Sequence, residues 1–475
     1  MRLTAALTAI AFCCTTSLVA QQIFVTGETV ELPSNRIGAA DHATIAANSF
    51  GDVLVANHAE AANGDKLVEA TAIGSLGSNT FILAPTILLG DPSLQLVGED
   101  TCRKPDVVVL ADDTFVVVWP RNDKDSLVPA RLEAARVIFR DGNGDLYPRP
   151  IVETAAPGEG YIIDPSLESG SAGIMPDLVA MDASSPQSCA VVYVHESDNR
   201  VNGDRTYREH DLRCVKMDWS ELPQSPQFLD GPHVLLAQVP MDETTAHPFV
   251  GGMVLPDVVL DDSGNLVVVH EESLVAPHFG WQGQTRTRIA IDRFSGFDAT
   301  EPLDLLNSWT IVSGTDTHRP RRPMAASSRE DAEDSVSVTW GEQATTGFDN
   351  DLGYKMVLIP TTGDGLEPRD AYWIADPLNE DAMPVVADDG RMRTCFAVRN
   401  YPNHRSLLLS ATLNNGTSTI QEISTPIEYP WRPAAELVTV QSPGGHDLTY
   451  AAVTYEGADV FNTDQYAIYF TYRLW

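Results

Sequence analysis

Seven times along the chain an apolar run, often led in by proline, meets an acidic or glycine turn, and a second apolar run with a polar or aromatic end follows. The clearest copies are PDVVVLADDTFVVVW from Pro105, PDLVAMDASSPQSCAVVYVHE from Pro176 and PDVVLDDSGNLVVVHEE from Pro256. Degenerate copies read RPMAASSREDAEDSVSVTWGE, MPVVADDGRMRTCFAVRN and RPAAELVTVQSPGGHDLTYAAVTYE, and DHATIAANSFGDVLVANHAE from Asp41 comes first. Short apolar runs bounded by Asp, Asn, Gly and Pro predict strands joined by tight turns. Two further β-like runs separate one copy from the next, as LEAARVIFRD and PRPIVETA do around the turn DGNGD, so each unit predicts four strands.

A period of about 50 to 80 residues built only from strands and turns marks a radial repeat, because one sheet cannot bury both its faces alone. The expected fold is all-β: a seven-bladed β-propeller of four-stranded antiparallel blades. After QYAIYFTYRLW the last unit has no fourth strand. Residues 22–32, QIFVTGETVEL, alternate as a half-buried strand does, and are predicted to complete blade seven and close the ring. Residues 21–475 then form a single domain.

Residues 1–20 carry one cation, Arg2, then an apolar stretch ending in SLVA, which predicts a cleaved secretory signal. The chain is therefore expected in an extracellular or periplasmic setting, without membrane insertion after cleavage, as a monomer. A formal charge of −35 excludes nucleic acid as a partner, because phosphate binding needs a cationic footprint. Cys189 and Cys214 fall in the second and third strands of unit three, where a disulfide and two free thiols are both compatible with the sequence.

In such a unit the first strand starts and the second strand ends on the same side of the disc. That side is predicted to hold a ligand surface at the channel mouth, built from Arg103, Trp119, His195, His270, Arg322, Trp340, Trp431 and Arg432. Trp rings stack on sugar faces, and Arg forks match carboxylate or sulfate. The alternative is that the Trp and His of VVVW and VVVH pack between blades. Asp141, Asn143 and Asp145 place oxygen side chains at alternate positions, as a calcium loop does. The same residues are natural turn formers, and the turn reading is preferred, with no cofactor required.

The phrase PDVVVLADDTFVVVWPRND, followed by ARVIFRDGNGDLYPRP, resembles the P-x-V-A-x-L-x-D-G-x-F-V-V-V-W repeats of large secreted bacterial β-propeller proteins. The resemblance spans residues 41–475 and implies fold and secretion, since those proteins share no single activity. The opening Asp41-His42, with His58 closing the hairpin, is also similar to seven-bladed polysaccharide lyases and sialidase-like propellers. That resemblance implies a His or Tyr base, from His42, His58 or Tyr401, with Arg322 and Arg432 neutralising a uronate carboxylate. The sialidase S-x-D-x-G-x-T-W box is absent from the sequence. The functional expectation is a secreted module binding a glycan or an extracellular protein without catalysis. The alternative is a lyase or hydrolase of an acidic, uronate-containing polysaccharide.

Overall fold

The computed structural model describes residues 22–25, 27–34, 40–61, 66–77, 80–91, 100–102, 104–123, 131–164, 172–181, 187–196, 200–202, 205–207, 210–220, 226–237, 253–261, 263–275, 285–295, 303–312, 318–327, 335–344, 351–360, 372–375, 385–388, 392–401, 404–413, 418–422, 430–441, 445–459 and 462–474. Residues 1–20, which carry the expected signal, lie outside them. No helix among the described residues is long and apolar enough to cross a membrane.

Among the described residues the strands sort into seven antiparallel sheets of four or six strands and one two-stranded hairpin. In sheet one Ala40–Ala47 pairs with Val53–Glu60, which pairs with Lys66–Gly77. Sheet two runs from Asp106–Val109 through Phe115–Asp123 and Arg131–Arg140 to Leu146–Glu153. Sheets three to six open with Ala172–Ala180, Met253–Leu260, His318–Ser327 and Val385–Asp388. Sheet seven takes Pro430–Gln441, Asp447–Asp459 and Asn462–Leu474, and its fourth strand is Thr29–Glu31. First strands of successive sheets lie against one another, and that of sheet seven lies against that of sheet one.

The N-terminal segment does not act as one strand. Gln22–Val25 pairs with Thr80–Leu83 on the outer edge of sheet one, whereas Thr29–Glu31 pairs with Tyr469 to Thr471 of sheet seven. Gly27, at φ +92°, turns the chain between the two and donates its N–H to the Tyr472 carbonyl at 2.7 Å. A residue with a side chain is strained at that φ, and glycine is not.

Second strands carry the core. Each is flanked by a neighbouring sheet on both faces, so it reads as a continuous apolar run rather than an alternating one. Val53, Leu54, Val55 and Ala56 are all wholly buried, as are Phe115 to Trp119 and Ala190 to Val194. Alternate residues enter different cores. Phe115, Val117 and Trp119 pack with Leu54 and Ala56 of sheet one, while Val116 and Val118 pack with Val191 and Tyr193 of sheet three. Burying one such side chain contributes about 1.5–3 kcal/mol, so the spaces between sheets dominate the stability.

This parity overturns the disulfide. Cys189 sits opposite Met217 and faces the core shared with sheet two, whereas Cys214 sits opposite Val192 and faces the core shared with sheet four. The two thiols leave opposite faces of one sheet and are free. Burial pushes the Cys189 thiol up to about 12, so it behaves as a small apolar side chain.

Candidate functional site

The first strands share a defect at one place. In sheets one, three, four, five and seven the pairing with the second strand slips by one residue, between Asp41 and Thr44, Ile174 and Asp177, Val254 and Asp257, Arg321 and Met324, and Trp431 and Ala434. Each slip is a β-bulge. His42, Met175, Leu255 and Arg432 stand in it at φ +53°, +51°, +53° and +38°. In four of the five, proline follows at Pro176, Pro256, Pro323 or Pro433, and proline has no N–H to lose where the ladder is already broken. This accounts for the proline that leads so many of the repeats.

The bulges aim their side chains into a cavity of about 370 Å³, lined by residues 42–45, 104–107, 175–178, 255–259, 323–327 and 432–437. Its wall is made of first strands and the residues leading into them. The lining differs in chemistry around the rim: the bulged His42 and Arg432, with Lys104 of sheet two, are basic, whereas the bulged Met175 and Leu255 are apolar.

His42, His58, Arg432 and Glu456 converge where sheets seven and one meet. The His42 ring stacks on His58, with centroids 4.9 Å apart and planes at 28°. An Arg432 guanidinium nitrogen lies 3.5 Å from His42 Nδ1 and 3.4 Å from Glu456 Oε1. Glu456 Oε1 also accepts the His42 backbone N–H at 2.7 Å. One buried carboxylate of sheet seven therefore fixes both the bulged backbone of sheet one and the arginine of its own sheet. His58 is 8 % exposed and lies beneath His42, while 30 % of the Arg432 side-chain surface is open.

The cavity is also lined by Asp106, Asp177 and Asp257, which stand at equivalent positions of sheets two, three and four, opposite Val118, Val192 and Val269. Each accepts a backbone N–H from the next sheet: Leu178 donates to Asp106 at 2.8 Å, Val258 to Asp177 and Ala325 to Asp257. The Thr44 hydroxyl closes the row on Asp106 at 2.8 Å. These channel-facing amides belong to strand edges with no neighbour, and the carboxyls satisfy them. Burial raises all three acids, and Asp257 is pushed up to about 7. Glu436 lines the same cavity and is also pushed up to about 7, by burial alone.

Several expected site residues stand elsewhere. Trp119 and Trp340 are core residues at 0 % and 1 % exposure, with no ring face for a sugar. Trp119 packs so closely that a Cβ on Gly160 would meet its ring at 2.8 Å. His270 is wholly buried, with Nε2 at 2.9 Å from Asp292 Oδ2, and His195, 7 % exposed, has Nδ1 at 3.9 Å from Asp211 Oδ2. The reason is common to all four: a second strand has a sheet on either side, so even its last residues stay in the wall. Arg103 lies outside the described residues, as do the side chains of Arg322, Tyr401 and Trp431. Asp141 closes its own turn, accepting the Asn143 and Asp145 N–H groups at 2.8 and 3.0 Å, and these bonds hold its carboxyl below the usual aspartate value. The three aspartates of the cavity were visible in the sequence only as the Pro-Asp pairs that open three repeats.

No protein-family model matches the chain, and no characterised protein matches it in sequence. Solved structures similar to it include a protein of unknown function from Dyadobacter fermentans, at 10 % identity and TM-score 0.45 over 94 % of this chain and 98 % of that one. An α-L-arabinanase from Penicillium chrysogenum is 14 % identical with TM-score 0.42, over 85 % of this chain and 98 % of that one. Trypanosoma rangeli sialidase is 11 % identical with TM-score 0.41, over 78 % of this chain, which spans 54 % of the sialidase. At these TM-scores the likeness carries no argument about the activity of this chain.

Proposed function

We propose that the chain is a secreted, monomeric seven-bladed β-propeller whose ring is closed by Thr29–Glu31, and whose channel mouth binds an acidic glycan without catalysis. The cyclic adjacency of the first strands and the pairing of Thr29–Glu31 with the last strand support the ring. The observation that carries the function is the convergence of His42, backed by the His58 ring, and Arg432 on one wedge of a cavity that also takes Lys104. A half-open guanidinium braced by Glu456 presents charge-assisted donors to a carboxylate, and its geometry is prepaid by that brace. Met175 and Leu255 on the other arc offer an apolar surface to a sugar ring.

A second reading, a lyase, is favoured by the 3.5 Å approach of Arg432 to His42 Nδ1, since a base beside a carboxylate-neutralising arginine suits abstraction of a proton α to a uronate carboxylate. The same sample separates the two. Calorimetric titration with oligogalacturonates should give a binding isotherm that Arg432→Ala weakens by about tenfold or more, without growth of the ultraviolet absorbance of unsaturated products. Growth of that absorbance, abolished by His42→Ala, would establish the lyase instead. Neither binding nor product across a panel of uronate polysaccharides would sink both readings.

A further inference from the structure

Asp106, Asp177 and Asp257 are one unit. The Asp177 side chain is hydrogen-bonded both to Asp106 on one side and to Asp257 on the other. An ionised carboxylate only accepts hydrogen bonds, so two carboxyls in contact must share a proton. A neutral carboxyl has a single O–H, so each of the two contacts needs its own proton, and Asp177, between the other two, can donate in only one of them. The row is thus a proton-carrying ladder of three acids across three sheets, in the wall of the cavity whose rim holds the basic groups.

The titratable groups facing the ladder can be named strand by strand. Sheet one brings His42, sheet two brings Lys104, and sheet seven brings Arg432 and Glu436. Among the described side chains, sheets three and four bring only the ladder itself beside Met175 and Leu255, and residues 323–327 of sheet five bring no ionisable one. The described lining therefore sets four carboxyls against three basic side chains. Ionised together, those carboxyls would repel the acidic ligand proposed for the mouth.

We propose that the ladder couples ligand capture to proton uptake: an acidic glycan binds at the mouth as the ladder and Glu436 load protons, and affinity falls as the protons leave. The inference rests on the acidic-ligand reading of the same cavity. An anion brought beside a protonatable carboxyl stabilises its neutral form, and by reciprocity the neutral form favours the anion. Desolvation raises all four of these half-buried acids, Asp257 and Glu436 each to about 7, which puts the exchange of those two in the neutral range.

The test is calorimetric titration of the full protein with oligogalacturonate at pH 6 and pH 8, each in two buffers of unequal ionisation enthalpy. We expect net uptake of about half a proton or more per ligand, and affinity lower at pH 8 by roughly threefold to tenfold. Asp177→Asn keeps a hydrogen-bonding side chain that does not titrate, and should reduce the uptake and flatten the pH dependence. Asp257→Asn serves the same purpose if the first variant folds poorly. Binding without proton uptake, equal at both pH values, overturns the coupling and leaves the acidic-glycan site standing. Uptake unchanged in both variants takes the proton away from the ladder, leaving Glu436 or His42 to carry it, and also overturns the coupling. Absence of binding at either pH overturns the site itself, and the coupling with it.

Discussion

Asp106 and Asp112 stand at opposite ends of one short strand and its turn, and the protein uses them in opposite ways. At the turn end, Asp112 meets Arg136 at 2.5 Å and the Thr114 hydroxyl at 2.7 Å. Asp52 of sheet one is gripped by Arg140 of sheet two through bonds of 2.6 and 2.7 Å, and Asp261 meets Arg293 at 2.5 Å. At the channel end Asp106 meets another aspartate. An arginine is permanently cationic and turns a buried carboxylate into an ion pair, whereas a second carboxyl forces a shared proton. The same residue type is thus a rivet between sheets at one end and a proton store at the other. Buried acids without a cation in hydrogen-bond contact are costly to stability, and such sites concentrate where function needs them.

The comparison breaks most visibly at the turn end. Asp52→Ala should lower the unfolding free energy by about 3 kcal/mol in denaturant titrations, because it leaves the Arg140 guanidinium without its partner across the seam. A loss below about 1 kcal/mol would make the pair an ordinary solvated one. The channel end predicts a smaller effect and a particular sign. Asp177 and Asp257 hold protons that the unfolded chain releases near its ordinary aspartate value of 3.8. Their contribution is therefore fully present below pH 3.8 and is lost as pH rises through their raised native values, about 7 for Asp257. Thermal scans should show Tm falling over that window, and Asp177→Asn should raise Tm at pH 8 by about 1–2 °C while flattening the slope. A Tm that rises with pH across the window in wild type would contradict the ladder. The smallest effect belongs to Asp141, whose oxygens close an exposed turn. Asp141→Ala should shift Tm by about 1 °C or less, with calcium changing neither protein. A calcium-induced rise in Tm that the substitution removes would restore the metal reading.

Much of the architecture was legible because strands and turns are local. DVVV, the Asp-Asp turn and FVVVW announce a hairpin by composition alone, and the described residues pair there, Phe115 with Val109 and Val118 with Asp106. His42 and His58 were also nominated from the sequence, by their likeness to lyase hairpins, and Arg432 as a cation of the channel mouth, and they do meet. What failed was parity and depth. Trp119 at the end of VVVW reads either as a ligand anchor or as a ring packed between blades, and it is a wholly buried core ring, because a sheet on each side covers the second strand. For Cys189 and Cys214 the sequence left a disulfide and two thiols open, and the two face separate cores. Residues 22–32 read as one strand and split at Gly27 between two sheets.

By itself the sequence determined that the chain is built of strands and tight turns, and where its clearest hairpins fall. Those features arise from short-range steric and hydrophobic patterning, which neighbouring residues carry within themselves. The tertiary structure alone decided which carboxyl meets an arginine and which meets its own kind, and which bulged side chains share a cavity. Glu456 and His42, or Asp106 and Asp177, lie far apart in the chain. Their protonation and geometry follow from distances that exist only once the sheets stand side by side.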